Sequence, residues 1–239
     1  DLEAARARGI MVSNVPSEGT GNADGVAEIA VLLALALARR FKEAQENLRR
    51  RVIWAPRGIS LLNKTCCVVG LGGVGRALVR RLKGFGCRII GVNRTEVDPA
   101  SLGIDEFVPL SGVDEALSRS DFVFVCISMC PATEGFFDGR RIRAIKRGAF
   151  LVNVARGGVI DRGALVEALR EGHLRGAGLD VFWEEPPDPE DEIFSLNVVA
   201  TPHIGGLTDE AVSGIGRFVF ENILRLKEGL RPHNVINGL

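Results

Sequence analysis

The sequence of 239 residues carries no net charge: 30 Lys+Arg stand against 30 Asp+Glu. No global field therefore draws it to a polyanion. Its basic clusters, Arg39-Arg40, Arg49-Arg50-Arg51 and Arg140-Arg141, lack the interleaved aromatic residues that a nucleic-acid stacking platform needs, and they read as solvated helix faces and ends. With three histidines, and no C-x-x-C pair among five cysteines, metal-ligand spacing is missing too. The longest uninterrupted apolar stretch, Ile29 to Ala38, has ten residues and is too short to span a bilayer. Most of the cysteines fall in strand-like segments, where a free thiol behaves as a small hydrophobe. An odd number of them in such places points to a reducing, cytoplasmic compartment. The expected partner is thus a small molecule, with neither nucleic acid nor a membrane.

What is present begins with Val68-Val69-Gly70-Leu71-Gly72-Gly73-Val74-Gly75, which follows the apolar run Thr65-Cys66-Cys67. Gly70, Gly72 and Gly75 have the G-x-G-x-x-G spacing, and Arg76 to Lys83 continues with helical periodicity. Each glycine has its own mechanical role. The first allows the tight turn, the second the close approach of backbone to a pyrophosphate, and the third helix-on-strand packing. The helix N-terminus then offers unpaired N–H groups to the phosphates. A lone hexapeptide is weak evidence in a chain with 29 glycines; the strand before it, the helix after it and a second strand from Cys87 to Val92 make it strong.

After a short helical piece, Gly9 to Val15 reads as a strand ended by Pro16. A long helix is expected from Asn22 or Asp24 to about Arg50, with a first half so apolar that it must be buried all round, between domains or against another subunit. Strands are then expected at Thr65–Val69, Arg88–Val92, Glu106–Val108, Asp121–Ile127, Ala149–Val154, Gly176–Val181 and Asn197–Ala200. Helices are expected at Val74–Gly84, Val113–Ser118, Gly139–Lys146 and Arg162–Glu171, and a last one from Thr208 to Glu228. Strands such as Phe122-Val123-Phe124-Val125 do not alternate with polar residues, so both faces are covered. That predicts an α/β fold with a doubly wound parallel sheet.

In such sheets ligands bind past the carboxyl ends of the strands. Three groups capable of chemistry stand there: Arg156 after Leu151–Val154, Glu185 after Gly178–Val181, and His203 after Val198–Pro202. Arg156 can grip a carboxylate and polarise a keto oxygen. His203 can donate a proton to that oxygen in reduction, or take one from a hydroxyl in oxidation. An ionised Glu185 beside it favours the imidazolium. Singly, each has a plainer reading as a surface arginine, a solvated acidic turn (Glu184-Glu185) or a structural histidine. His173 and His233 lie near helix ends with no partner in view.

The run Gly70 to Gly75, then Asn153-Val154-Ala155-Arg156-Gly157-Gly158, then Gly178-Leu179-Asp180-Val181-Phe182 ending in Glu185-Pro186, then Thr201-Pro202-His203-Ile204-Gly205-Gly206, resembles the D-isomer-specific 2-hydroxyacid dehydrogenases over nearly the whole chain. The resemblance implies a Rossmann-type NAD(P)-binding domain with remnants of a second, flavodoxin-like substrate domain. It divides the chain into residues 1–22 (substrate-domain remnant), 23–206 (dinucleotide-binding domain, with an interdomain and dimer helix at 23–50) and 207–239 (a C-terminal helix returning to the substrate domain). Part of the substrate site is accordingly expected upstream of Asp1, and a homodimer is expected. It implies that Arg156 binds substrate, that Glu185 partners His203 as acid/base, and that Asp180 holds the nicotinamide amide. It also implies a cofactor groove formed by Gly70, Gly72, Gly73, Val74, Gly75, Asn93, Arg94, Thr95, Ser128, Thr133, Val154, Ala155, Gly205 and Gly206.

One departure bears on the cofactor. NAD-specific members carry an acid at the end of the second strand; here Asn93, 18 residues past Gly75, is followed by Arg94 and Thr95. Asn93 cannot repel a 2′-phosphate and Arg94 can pair with it, which favours NADP over NAD. The alternative is an Arg94 that stacks on adenine while NAD binds. Ser128 to Gly135 looks especially like glyoxylate/hydroxypyruvate reductases, so the expected activity is reduction of a small 2-keto acid. The rival within the class is phosphoglycerate dehydrogenase. From another class, the rival is a dinucleotide-sensing corepressor-like dimer.

Overall fold

The computed structural model describes all residues 1–239. Its strands are β1 (Thr65–Val69), β2 (Arg88–Asn93), β3 (Glu106–Pro109), β4 (Phe122–Val125), β5 (Phe150–Asn153), β6 (Gly176–Leu179) and β7 (Val198–Ala200). The helices are α1 (Leu2–Ala7), α2 (Asn22–Ala38), α3 (Phe41–Arg49), α4 (Gly73–Leu82), α5 (Pro99–Leu102), α6 (Val113–Ser118), α7 (Gly139–Ala144), α8 (Arg162–Arg170) and α9 (Asp209–Lys227). All strand pairs are parallel, in the order β3-β2-β1-β4-β5-β6-β7. The direction of winding reverses between β1 and β4, which opens a crevice past their carboxyl ends.

The period of two along each strand sorts the core. Cys66, Val68, Phe122, Phe124 and Val152 face a layer with Leu33 and Ala30 of α2 and Leu78 and Leu82 of α4. Cys67, Val69, Val123, Val125 and Leu151 face the opposite layer, with Leu117 of α6, Ile142 of α7 and Leu165 of α8. Both faces being covered, no polar alternation is needed, as the apolar runs predicted. The glycine loop is built as its spacing requires. Gly70 has φ +101°, and a Cβ on Gly75 would lie 1.9 Å from the Gly70 carbonyl oxygen, so α4 can start there only without a side chain. Burial pushes the thiols of Cys67 and Cys126 up to about 12, which keeps them unreactive near neutral pH.

Two expectations need correction. The long helix breaks at Arg39-Arg40 into α2 and α3, with Arg40 at φ +52°. The Ala38 carbonyl, which a continuous helix would spend on residue 42, instead accepts from the Ile59 N–H at 2.9 Å. Within the single chain Ala27, Ala30, Leu33 and Leu37 of α2 are enclosed, while Leu32 on the other side is 52% exposed. The segment Gly9–Val15 is not a strand. Its ladder is one antiparallel bridge, Ser13 to Val235 of the C-terminal tail, and no strand of the sheet lies beside it. Short α5 was not anticipated, although Asp98-Pro99 carries the signal: the Asp98 carboxylate caps the N–H groups of Ala100 and Ser101, with proline opening the helix.

Candidate active site

β5, β6 and β7 lie side by side, with Asn153 opposite Leu179 and Leu179 opposite Ala200. The loops that leave their carboxyl ends therefore emerge together, carrying Arg156, Glu185 and His203. The first two loops are in direct contact. A Cβ on Gly157 would fall 2.1 Å from the Phe182 carbonyl, and the Trp183 indole N–H donates to the Ile160 carbonyl at 2.6 Å.

Glu185 bridges the remaining distance. Its Oε2 accepts from His203 Nδ1 at 2.8 Å and its Oε1 accepts from the Phe182 N–H at 3.1 Å. A carboxylate can only accept, so Nδ1 carries the hydrogen and Nε2 is left for other chemistry. Burial alone would raise the Glu185 pKa. The hydrogen bond from His203, the Phe182 N–H and the nearby charges of His203 and Arg156 outweigh it, and hold the carboxyl below the usual carboxylate range. Glu185 and His203 are 39% and 41% exposed, so the pair is open to an incoming molecule. Arg156 is exposed as well, and its Nη1 rests on its neighbour's carbonyl, Ala155 O, at 2.6 Å.

Two buried polar side chains shape these loops. Asn153, 1% exposed at the end of β5, donates to the Arg156 carbonyl at 3.0 Å and accepts from the Ala155 N–H at 3.0 Å, which fixes the turn that presents the guanidinium. Asp180 is 2% exposed beneath the histidine loop. Its Oδ1 accepts from the Thr201 hydroxyl (2.6 Å) and the Ile204 N–H (3.0 Å), and its Oδ2 from the Gly205 N–H (2.9 Å). The bracketed residue, His203, sits at φ +55°, a left-handed conformation that costs a non-glycine residue roughly 1–3 kcal/mol. Three hydrogen bonds to one buried carboxylate hold it there. In the structure Asp180 also holds the backbone around His203, a contact the resemblance did not name.

A cavity of about 330 Å³ runs from the glycine loop to Arg156. Val74, Ser128, Val154, Ala155 and Arg156 line it. A Cβ at Gly72 would meet nothing within 4 Å, so backbone there is open to a close-lying group, and α4 begins at Gly73 with no side-chain cap on its N–H groups. Those features suit a pyrophosphate. Asn93 Oδ1 accepts from the Leu71 N–H in the glycine loop (3.3 Å), while its Nδ2 donates to Thr95 O (2.9 Å). Arg94 and Thr95 are exposed at the groove's outer end. Thr133 does not line the cavity. Its hydroxyl donates to Ser128 O (2.7 Å) and accepts from the Cys130 N–H (2.8 Å), which pins the turn after β4. The Cys130 thiol is held below its ordinary value by the Thr133 hydroxyl and neighbouring backbone N–H groups, with a smaller pull from Arg94.

Sequence reasoning missed Ser17, Asn22 and Val26, which line the cavity from the segment before and within α2. Nothing in the local pattern distinguishes Asn22 from a helix-start residue. It also left His173 and His233 without partners. His173 Nε2 is 3.2 Å from Ile142 O, and His233 Nε2 is 3.1 Å from Glu221 Oε1, so each has a partner outside the loops that carry Arg156, Glu185 and His203.

Known proteins are similar to this chain in sequence and fold. The family profile described as D-isomer specific 2-hydroxyacid dehydrogenase, NAD binding domain, matches residues 31–205. A glyoxylate reductase of Thermococcus onnurineus is 42% identical over 250 residues, covering 99% of this chain and 72% of that protein. A D-3-phosphoglycerate dehydrogenase of Methanocaldococcus jannaschii is 39% identical over 242 residues, with 99% of this chain but 45% of its own length covered. Among solved structures, a D-isomer specific 2-hydroxyacid dehydrogenase from Xanthobacter autotrophicus in complex with NADPH and MES superposes with a TM-score of 0.81 at 26% identity, covering 95% of this chain and 92% of that one.

Proposed function

Because the chain belongs to the D-isomer specific 2-hydroxyacid dehydrogenases, we propose that it reduces a small 2-keto acid, glyoxylate or hydroxypyruvate, with a reduced nicotinamide dinucleotide. The observation that carries this is the 2.8 Å Glu185–His203 pair beside Arg156, at the end of a cavity that starts at the glycine loop. The bound dinucleotide supplies the hydride. Arg156 binds the substrate carboxylate and draws electron density toward the keto oxygen. His203 Nε2, protonated, delivers the proton that turns that oxygen into a hydroxyl, and Glu185 stabilises the imidazolium before transfer. Steady-state assays with glyoxylate, hydroxypyruvate and phosphohydroxypyruvate test the reading. Turnover of the first two is expected, and a strong preference for the phosphorylated acid would move the assignment to phosphoglycerate dehydrogenase. A change of assembly on adding dinucleotide, with no turnover, would favour a corepressor-like sensor.

The pH dependence has a definite sign. Reduction of the keto acid takes up a proton and oxidation of the hydroxy acid releases one, so reduction slows and oxidation speeds up as pH rises. On the acid side the pair persists until Glu185 is protonated. Its pKa is depressed in the folded chain, so that loss comes below the ordinary carboxylate range. A flat profile for the chemical step contradicts these roles.

NADP is the preferred cofactor in this reading, with Arg94 pairing the 2′-phosphate and no acid at Asn93 to repel it. Arg94→Ala is expected to raise the KM for NADPH by about tenfold or more, the scale of one charge-assisted hydrogen bond, and that for NADH much less. Equal effects on both cofactors count against it. Residues 23–206 form the dinucleotide-binding unit, and the ends, 1–22 and 207–239, belong with the substrate side; in support, Ser13 bridges to Val235, and α9 buries only Ala211 and Asn222. A homodimer packed on the open side of α2 around Leu32, working in the cytoplasm with its five cysteines free, completes the proposal. No helix is long and apolar enough to cross a membrane.

A further inference from the structure

The stretch of chain that presents Glu185 has few holds of its own. Val181 and Phe182 are buried, but Glu184, Glu185 and Pro186 are exposed. Pro186 and Pro187 have no N–H to give, and no main-chain group of residues 181–187 bonds to main chain elsewhere. The Phe182 N–H turns back on Glu185 itself. Apart from the His203 contact, one hydrogen bond ties this stretch to the rest of the molecule: the Trp183 indole N–H donates to Ile160 O at 2.6 Å. Trp183 is half-buried, with its apolar body packed on the layer formed with α6, α7 and α8.

Ile160 is a fixed point. It is 1% exposed and bridged to the fully buried Phe137, whose main chain also bonds the flanking Val159 carbonyl and Asp161 N–H, each at 3.0 Å. Its own N–H donates to Gly157 O at 3.1 Å, closing the short turn that follows Arg156. A buried carbonyl here needs a donor, and the indole supplies it. The bond therefore joins the two loops whose groups must act on one substrate: Arg156 stands four residues before Ile160, and Glu185 two residues after Trp183.

We propose that Trp183 is a positioning residue, whose indole tethers the Glu185 loop to the base of the Arg156 loop and so sets where the Glu185–His203 pair stands relative to the guanidinium. The inference rests on the keto-acid reduction proposed above and deepens it. Two holds then act on His203. Asp180 fixes its backbone, while Trp183, through Glu185, fixes the direction of its ring.

The test is a double-mutant cycle read by single-turnover reduction of the keto acid with NADPH. Trp183→Phe keeps an aromatic body on the layer and removes the N–H. It is expected to lower the rate by about tenfold to a hundredfold, the scale of a misplaced reacting group, and to leave NADPH affinity near that of the wild type. In the H203N background, where the proton donor is already gone, the same substitution is expected to cost less than about twofold. An equal loss in both backgrounds would mean that Trp183 acts apart from His203. A parallel loss of NADPH affinity would make it a general support of the fold. Either result overturns the proposal, as does a W183F variant with the wild-type rate. A wild type that turns over no keto acid brings down the proposed reaction itself, and this inference with it.

Discussion

His203→Asn lowers the single-turnover rate of keto-acid reduction by roughly 10²- to 10⁴-fold, the usual contribution of a positioned general acid, while dinucleotide affinity stays near that of the wild type. Asparagine is the informative replacement. It tolerates the left-handed backbone found at this position (φ +55°), and its amide can still donate to Glu185, so the loop is preserved. What it cannot do is carry a transferable proton. Loss of rate without loss of fold or of cofactor binding therefore isolates the proton-transfer role. A variant that retains a rate within about tenfold of the wild type would remove His203 from the chemistry.

Asp180→Ala is expected to damage both stability and rate. The substitution orphans the Thr201 hydroxyl and the N–H groups of Ile204 and Gly205. Each buried donor left unpaired costs about 1–3 kcal/mol, so a loss of roughly 3 kcal/mol or more is expected. At about 2–4 °C per kcal/mol for a chain of this size, thermal unfolding moves down by roughly 6–12 °C. The rate should fall as well, because the backbone around His203 has no other reason to stay in its strained conformation. Asp180→Asn is a sharper probe of the same bonds. One of its oxygens becomes an NH2 group facing N–H donors, and the Thr201 hydroxyl is the only neighbour that can turn to accept. Thermal scans and single-turnover rates of both variants check this; a wild-type Tm and rate in either would show that the loop holds itself.

The parts of this architecture written locally were legible. Apolar runs such as Phe122–Val125 and glycine spacing at 70–75 each depend on a few adjacent residues, and strand positions followed from them. The convergence of Arg156, Glu185 and His203 was legible for a related reason. In a parallel sheet, residues just past strand ends converge, so identifying β5, β6 and β7 was enough to bring Arg156, Glu185 and His203 to one edge. What escaped was set by contacts between distant segments. The break at Arg39-Arg40 depends on Ile59 capturing the Ala38 carbonyl, which no window around residue 40 reveals. The Gly9–Val15 segment has strand-like composition and no sheet to join. Asp180 sits in a motif that suggested a ligand, and the three hydrogen bonds it also accepts become visible only with the return of the chain at residues 201–205.

The central claim is that Arg156, Glu185 and His203 meet a bound dinucleotide and a 2-keto acid for direct hydride transfer. Its most direct test is reduction of hydroxypyruvate with NADPH deuterated on the transferring face of nicotinamide C4, with the product analysed by mass spectrometry. D-glycerate carrying the deuterium at C2 is expected, with the same label lost from the cofactor. Product without the label, or no product under conditions where the dinucleotide is bound, would contradict it.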